Sequence, residues 1–166
     1  MVKDQKINEM AGGSYDMSTL SDEDFFKALV AYRNGGTNRF AAHCGIEITG
    51  IGPGWAEGEI VLEEHHGNPI GSIHGGCLFA LADSVGGAAA VSRKRTVTTV
   101  ASTINYLNAS LGGTTGKIRA RAEELKCGKT TSVYDVKVYD DDGRVLTQST
   151  MTYYKIQAGL DIPGAD

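Results

Sequence analysis

The sequence of 166 residues predicts an α+β domain, and two observations lead to this prediction. Residues 75–91 are mostly apolar or small, and the run is long enough for one buried helix. Four strand-like runs follow with no helical segment between them, which favours an antiparallel sheet over an alternating α/β fold. One of these runs, residues 117–123, alternates strictly between charged and apolar side chains, as a half-buried strand does.

The remaining strands are bounded by turn residues. Before the long helix we expect strands near residues 44–50 and 56–64, with Gly52-Pro53-Gly54 turning the chain between them. After the helix we expect three further strands, the last two joined at the hairpin signal Asp141-Asp142-Gly143: residues 97–107, 132–139 and 145–154.

The N-terminal part of the chain divides into two pieces. Residues 1–20 are polar and contain glycine, so we expect a flexible segment there. Ser21 followed by three acidic residues is typical of a capped helix start. Apolar residues at helical spacing continue this helix until Asn34-Gly35-Gly36 ends it. Residues 21–166 are expected to form a single domain.

Composition limits the possible partners and location. A hydrophobic content of 41% is enough for a sizeable core, and a net charge of −4 argues against a general nucleic-acid binder. Three widely spaced cysteines suit a reducing cytoplasm, and the first residues lack the apolar core of a signal peptide. The longest apolar run contains Asp83 and is too short to span a bilayer. We therefore expect a cytoplasmic protein that binds neither nucleic acid nor a membrane.

Paired glycines interrupt the long helix. Gly86 and Gly87 each cost a helix about 1 kcal/mol relative to alanine. Their presence predicts close approach of a backbone, such as a sheet wrapped around the helix.

The start of the long helix predicts an anion-binding position. The first N–H groups of a helix lack partners and lie at the positive end of its dipole. Gly75 and Gly76 allow a substrate to approach that backbone closely, which suits a carbonyl oxygen that becomes an oxyanion. Asn68 is placed either to add a side-chain donor or to hold a water, and His74 either to bond the substrate or to orient the loop.

Asp83 is a carboxylate two turns into this apolar helix. Burying a carboxylate costs several kcal/mol unless it is paired or used, so a role is expected for it. Asp83 follows Gly75 by eight residues, which is about 12 Å along a helix axis. A side chain cannot cover that gap. If both residues act on one carbonyl, two chains must pack with their helices antiparallel and share the site.

The spacing Asn-x-x-Gly-x-x-His-Gly-Gly, followed by Leu-x-Asp, resembles the hotdog-fold acyl-CoA thioesterases, specifically the phenylacetate-degradation subfamily. The residues that carry the resemblance are Asn68, Gly71, His74, Gly75, Gly76, Leu81 and Asp83. It implies a hotdog fold, with an antiparallel sheet wrapped around one long central helix and, here, an extra N-terminal helix. It also implies homodimers that usually pair into homotetramers.

The resemblance further implies the roles of the motif residues. The Gly75 amide would polarise the thioester carbonyl, with His74 and Asn68 assisting and Gly76 contributing to substrate binding. Asp83 of the partner chain would be the nucleophile or the general base for water. The reaction implied is hydrolysis of an acyl-CoA to free acid and CoA, with no metal and no cofactor beyond the CoA of the substrate itself.

Residues outside the helix motif are less closely defined by the resemblance. A hydroxyl on the next strand often helps to position the water; Thr99 falls at that place, with Thr98 and Ser102 as alternatives. Lys126 and Lys129 on the later strands are candidates for contacting the CoA phosphates. The N-terminal helix either covers the acyl pocket or packs on the outside of the domain.

Two other functions remain open at this stage. A hotdog hydratase or dehydratase would place a histidine base in a different local pattern, and a non-catalytic acyl-CoA-binding module would retain ligand without turnover. The acyl group itself, whether aryl or fatty, is not indicated by the motif.

Elsewhere, adjacent His65 and His66 point to opposite sides of a strand, so we expect a solvated strand end rather than a metal site.

Overall fold

The computed structural model describes residues 20–110 and 115–158. Apart from Leu20, the expected flexible segment 1–20 lies outside the described residues. Helix α1, Asp22–Arg33, begins where the sequence predicts, because the Ser21 hydroxyl accepts a hydrogen bond from the Asp24 N–H at 3.2 Å. It ends at Asn34, as expected. None of the helices in the described ranges is long and apolar enough to cross a bilayer.

Within the described residues, six strands form one antiparallel sheet, which confirms the α+β prediction. Along the sheet the strand order is β1-β2-β4-β5-β6-β3, so β1 and β3 are the two edges. The long helix α3, Gly75–Val91, packs across the sheet and contacts every strand. The strand bounds are β1 Ile46–Gly52, β2 Trp55–Val61, β3 Arg95–Tyr106, β4 Lys117–Cys127, β5 Thr131–Tyr139 and β6 Val145–Ala158.

Strict alternation separates the two faces of the sheet. On β4, Ile118, Ala120 and Ala122 are buried against α3, as the sequence predicts. The intervening side chains lie on the outer face, where Arg121 pairs with Glu57 of β2 and Arg119 pairs with Asp141 of the β5–β6 turn. The apolar face therefore forms the core with α3, and the outer face carries ion pairs.

Side chains, rather than a backbone, occupy the space beside the paired glycines of α3. A Cβ at Gly86 would lie 2.3 Å from the Tyr153 hydroxyl, and one at Gly87 would lie 3.4 Å from Arg33 Nη2. The close approach of helix and sheet is instead made possible on the strand side, where a Cβ at Gly58 would lie 2.8 Å from Val85 Cγ2. The expectation of a close contact is confirmed, but its partners differ from those expected.

The segment after β2 corrects one expectation. The strand expected over residues 56–64 ends at Val61, and Glu64–His66 forms a single 3₁₀ turn. His66 is buried, and both of its ring nitrogens have polar partners. Nδ1 accepts from the Glu63 N–H at 2.9 Å, and Nε2 lies 3.1 Å from the Cys44 carbonyl. A solvated strand end was therefore the wrong expectation for His66; the chain leaves the sheet here to reach the start of α3.

Helix α1 covers the β1 edge of the sheet. The Asn34 side chain donates to the Ile48 carbonyl at 2.9 Å and accepts from the Ile48 N–H at 2.8 Å. This amide satisfies the edge strand as a neighbouring strand would, which protects it from pairing with another chain. A short helix, α2 (Arg39–His43), follows; the sequence analysis did not anticipate it.

Candidate active site

His74 is the N-cap of α3. Its Nδ1 accepts a hydrogen bond from the Gly76 N–H at 2.9 Å, so the proton of the neutral ring is on Nε2. The side chain is exposed and lines a cavity of about 370 Å³ at the helix start. The capping bond orients the ring and leaves the Nε2–H free to donate outward.

The Gly75 N–H is the open donor at this helix start. The Gly76 N–H is already bonded to His74, and among the described residues no acceptor contacts the N–H of Gly75. The Gly75 carbonyl accepts from the Tyr106 hydroxyl at 3.2 Å, which ties this turn to β3. Helix geometry thus leaves one amide directed outward at the positive end of the dipole.

Asn68 organises the loop that leads into α3. Its Oδ1 accepts from the N–H groups of Ile70 at 3.1 Å and Ser72 at 3.0 Å, as in an Asx turn. The side-chain oxygen of Asn68 therefore closes a turn of this loop. Among the described residues no hydrogen bond uses the Asn68 side-chain nitrogen, which leaves that donor for another partner.

Asp83 is held by a hydroxyl from the edge strand. The Thr99 Oγ1 donates to Asp83 Oδ1 at 2.9 Å. A β-bulge at Val100 interrupts the pairing of β3 with β6 directly after Thr99, which faces α3 opposite Tyr153. Of the three hydroxyl candidates, Thr99 is the one that bonds Asp83; Thr98 lines the adjacent cavity and Ser102 lies beyond the bulge.

Tyr153 and Arg33 complete the surroundings of Asp83. The Tyr153 hydroxyl donates to the Asp83 carbonyl at 3.3 Å, and burial raises the pKa of this tyrosine well above its usual range. The Arg33 Nη2 donates to the Ser84 carbonyl at 3.0 Å, and burial lowers the pKa of the guanidinium. Both side chains line a cavity of about 220 Å³ with Asp83 and Thr99. Helix α1 therefore forms one wall of the Asp83 cavity, which the sequence analysis had left open.

The sequence analysis did not single out Arg33 or Tyr153. For Arg33 a signal exists, because it follows the fully buried Phe25 and Leu29 at successive four-residue spacings and so shares their face of α1. Nothing in a single sequence distinguishes Tyr153 from the other apolar residues of its strand.

The predicted site residues fall into two separate groups within one chain. Asn68, His74, Gly75 and Gly76 lie at the start of α3, whereas Asp83 and Thr99 lie two turns further along. The structure confirms the helix on which the 12 Å argument depends. His74 and Gly76 of the first group line one cavity, and Asp83 and Thr99 line another.

Lys126 and Lys129 lie apart from both groups. Both side chains are exposed, at the end of β4 and in the turn that follows. Arg95, just beyond the C-terminal end of α3, donates to the Gly128 carbonyl at 3.2 Å in the same turn and contacts Cys127. These lysines are therefore at the α3 C-terminal side of the domain.

Comparison with known proteins agrees with this architecture. Residues 70–147 match the thioesterase superfamily. The proofreading thioesterase EntH of Klebsiella pneumoniae is 28% identical over 116 residues, which cover 70% of this chain and 85% of that protein. The E. coli PaaI protein, from the phenylacetic acid degradation operon, has a TM-score of 0.70 at 26% identity, with 77% of this chain and 89% of that one covered.

A second solved structure connects the fold with a ligand. A hypothetical thioesterase from Streptococcus pneumoniae, solved with coenzyme A, has a TM-score of 0.67 at 28% identity and covers 74% of this chain and 96% of its own. The six-stranded antiparallel sheet and the central helix agree with these structural matches. The chain therefore has the hotdog fold of these thioesterases, and residues 70–147 carry its match to the thioesterase superfamily.

Proposed function

We propose that this thioesterase-family protein hydrolyses an acyl-CoA thioester to a free acid and CoA. The observation that carries the proposal is the hydrogen bond from Thr99 to Asp83, which orients a carboxylate beside a cavity in a fold shared with thioesterases. The similar thioesterase that was solved with coenzyme A supports CoA as the thiol of the substrate.

The first step uses the start of α3. The thioester carbonyl oxygen accepts from the free Gly75 N–H, and the helix dipole favours the negative charge that develops on this oxygen. Removing a single oxyanion donor typically costs about 10²–10³-fold in rate, so one well-placed amide has a large effect. His74, through Nε2–H, and Asn68, through its side-chain N–H, assist at the same oxygen or at the attacking water, and Gly76 leaves room for the substrate.

Asp83 supplies the second half of the chemistry by one of two routes. As a general base, it takes a proton from water while the water oxygen attacks the carbonyl carbon and the C–S bond breaks. As a nucleophile, its oxygen attacks the carbon and expels the CoA thiolate, and water then cleaves the resulting anhydride. Both routes give the acid and CoA, and both need the carboxylate ionised and oriented.

Two chains form the complete site in this proposal. The distance along α3 prevents the Gly75 and Asp83 of one chain from meeting on one carbonyl. Strand β3 is an edge strand with the exposed apolar side chains Val100 and Tyr106, and the exposed Leu107 directly follows it. Pairing of two β3 edges places two α3 helices antiparallel, with Asp83 of one chain near Gly75 of its partner. The CoA phosphates are then met by Lys126 and Lys129.

Thiol release from a panel of aryl-CoA and fatty acyl-CoA substrates tests the proposal. We expect turnover in the wild type and a loss of at least about 100-fold in Asp83→Asn, because the amide can neither accept the proton nor attack. Asp142→Asn, which removes an exposed carboxylate in the β5–β6 turn, serves as the matched control. Circular dichroism and sedimentation confirm that fold and assembly are unchanged.

The outcomes separate the functions considered. Binding of acyl-CoA without thiol release by the wild type would favour a binding module instead. Full activity in Asp83→Asn would show that another residue carries the reaction. Hydration of an enoyl-CoA without thiol release would assign the protein to the hydratases.

A further inference from the structure

Among the described residues, the partly buried cation Arg33 lies in the Asp83 cavity without an ion-pair partner. Among the described residues, the guanidinium of Arg33 makes a single hydrogen bond, from Nη2 to the Ser84 carbonyl at 3.0 Å. Its Nε is buried and has no hydrogen-bond partner. Of the five N–H donors of an arginine, most are therefore uncommitted at the wall of this cavity.

Asp83, the carboxylate in the same cavity, does not form an ion pair with Arg33. Asp83 lines the same cavity, and its charge favours the charged form of Arg33, but its Oδ1 is bonded to Thr99. A buried charge is unfavourable unless a counter-charge and hydrogen bonds compensate it. Because a guanidinium stays protonated in proteins, Arg33 favours a further acceptor, and the described residues supply none beyond the Ser84 carbonyl.

The position of Arg33 is fixed by its surroundings. The Arg33 carbonyl accepts from the Asn38 side chain at 2.9 Å, and the next residue, Asn34, is bonded to Ile48 of β1. Gly87 of α3 leaves space for the guanidinium, since even a Cβ there would be 3.4 Å from Nη2. The fold thus places Arg33 beside α3, where its Nη2 donates to the Ser84 carbonyl.

We propose that Arg33 binds a carboxylate carried by the acyl group, so that the substrates are CoA thioesters of short dicarboxylic acids. A guanidinium matches the geometry of a carboxylate with two parallel N–H donors, and the pairing is charge-assisted. The cavity that Arg33 lines together with Asp83 has a volume of about 220 Å³, which suits a short acyl chain. This inference rests on the proposed hydrolysis at Asp83.

Length-matched substrate pairs test the inference. We compare kcat/KM for glutaryl-CoA against pentanoyl-CoA and for adipoyl-CoA against hexanoyl-CoA, with Asp83→Asn reporting spontaneous hydrolysis. The wild type is expected to prefer the carboxylated member of each pair by at least about tenfold. In Arg33→Met this ratio is expected to fall by at least about tenfold, with Arg33→Lys intermediate because it keeps the charge without the paired donors.

Two results would overturn the inference. One is a wild type that hydrolyses the neutral thioesters as well as the carboxylated ones; the other is an Arg33→Met variant that loses both activities equally. If the wild type hydrolyses none of the four, the proposed function fails. Calorimetric binding of adipoyl-CoA and hexanoyl-CoA to Asp83→Asn, and to the double variant with Arg33→Met, then still tests Arg33 separately. Equal affinities of Asp83→Asn for the two ligands would contradict its role.

Discussion

The Thr99 hydroxyl and the Asp83 carboxylate form a 2.9 Å hydrogen bond between the edge strand and the middle of the central helix. Because Asp83 Oδ1 accepts this bond, one carboxylate oxygen is held in place while the other is left for a further partner. The bulge directly after Thr99 breaks the strand pairing at this point. The position of Thr99 on β3 therefore determines how the Asp83 carboxylate of α3 is oriented.

Replacing Thr99 with valine is expected to reduce kcat by about tenfold or more. A hydrogen bond to a charged group contributes about 1.5–3 kcal/mol, and 1.36 kcal/mol corresponds to a factor of ten in rate. Thr99→Ser keeps the hydroxyl and is expected to stay within a few-fold of the wild type. Steady-state kinetics of both variants checks this, and equal losses in serine and valine would show that the hydroxyl is not what matters.

The His74 ring is expected to have separable effects on stability and rate. His74→Ala removes the acceptor for the Gly76 N–H and should lower the free energy of unfolding by about 1 kcal/mol, the usual value of an N-cap. His74→Asn restores a good N-cap and should recover that stability in urea unfolding. Its kcat/KM should nevertheless remain low, because the Nε2–H is absent. Recovery of the full rate in His74→Asn would show that His74 acts only as the N-cap of α3.

Gly86→Ala is expected to destabilise the protein although alanine is the better helix former. A Cβ at this position would lie 2.3 Å from the Tyr153 hydroxyl and 3.2 Å from Met151 Sδ, so the core must shift. Overpacking of this kind typically costs about 1–3 kcal/mol. The same shift moves the hydroxyl that bonds the Asp83 carbonyl, so activity should fall with stability.

Gly87→Ala is the neighbouring control for this prediction. Its Cβ would meet Arg33 Nη2 only at ordinary contact distance, and alanine gains up to about 1 kcal/mol of helix propensity over glycine. Thermal unfolding of the two variants should therefore move in opposite directions. A Gly86→Ala variant as stable as Gly87→Ala would contradict the packing argument.

The start of α3 was predictable from the sequence because its structure is local. Spacing alone places His74 before the helix and Gly75 at its first turn, and helix geometry then leaves the first amides open. The separation of Gly75 from Asp83 is likewise a property of one helix. The two-face pattern of β4 follows from strand periodicity for the same reason.

Residues that reach the site from distant elements were not predictable in this way. Arg33 is 50 residues from Asp83 in sequence, and its placement depends on how α1 packs over β1 and α3. His66 was misassigned because adjacent histidines after a strand give no indication that the chain turns. Its burial depends on the Cys44 carbonyl, 22 residues earlier in the chain. Contacts between residues so far apart in the sequence produce no periodic pattern that a single sequence could show.

The ion pair between Arg93 and Glu124 is expected to make a pH-dependent contribution to the free energy of unfolding. Arg93 Nε and Nη2 donate to the two oxygens of Glu124 at 2.7 and 2.9 Å, and the Tyr134 hydroxyl donates at 3.2 Å. The Arg93 hydrogen bonds hold the pKa of Glu124 below its ordinary value of 4.5. Because the pKa is lower in the folded state, this stabilisation is present above the unfolded pKa. It is lost as the pH falls through the folded pKa.

Glu124→Gln should therefore lower the free energy of unfolding at neutral pH by about 1 kcal/mol, after allowance for the partly exposed Arg93. The difference from the wild type should shrink at acid pH, once the pH has fallen through the lowered pKa of Glu124 in the folded state and the wild-type carboxyl is protonated as well. Urea unfolding at both pH values measures it. Glu123→Gln, which alters an exposed carboxylate bonded to Arg121, is the matched control. A Glu124→Gln deficit of the same size at both pH values would mean that shape, rather than charge, makes Glu124 stabilising.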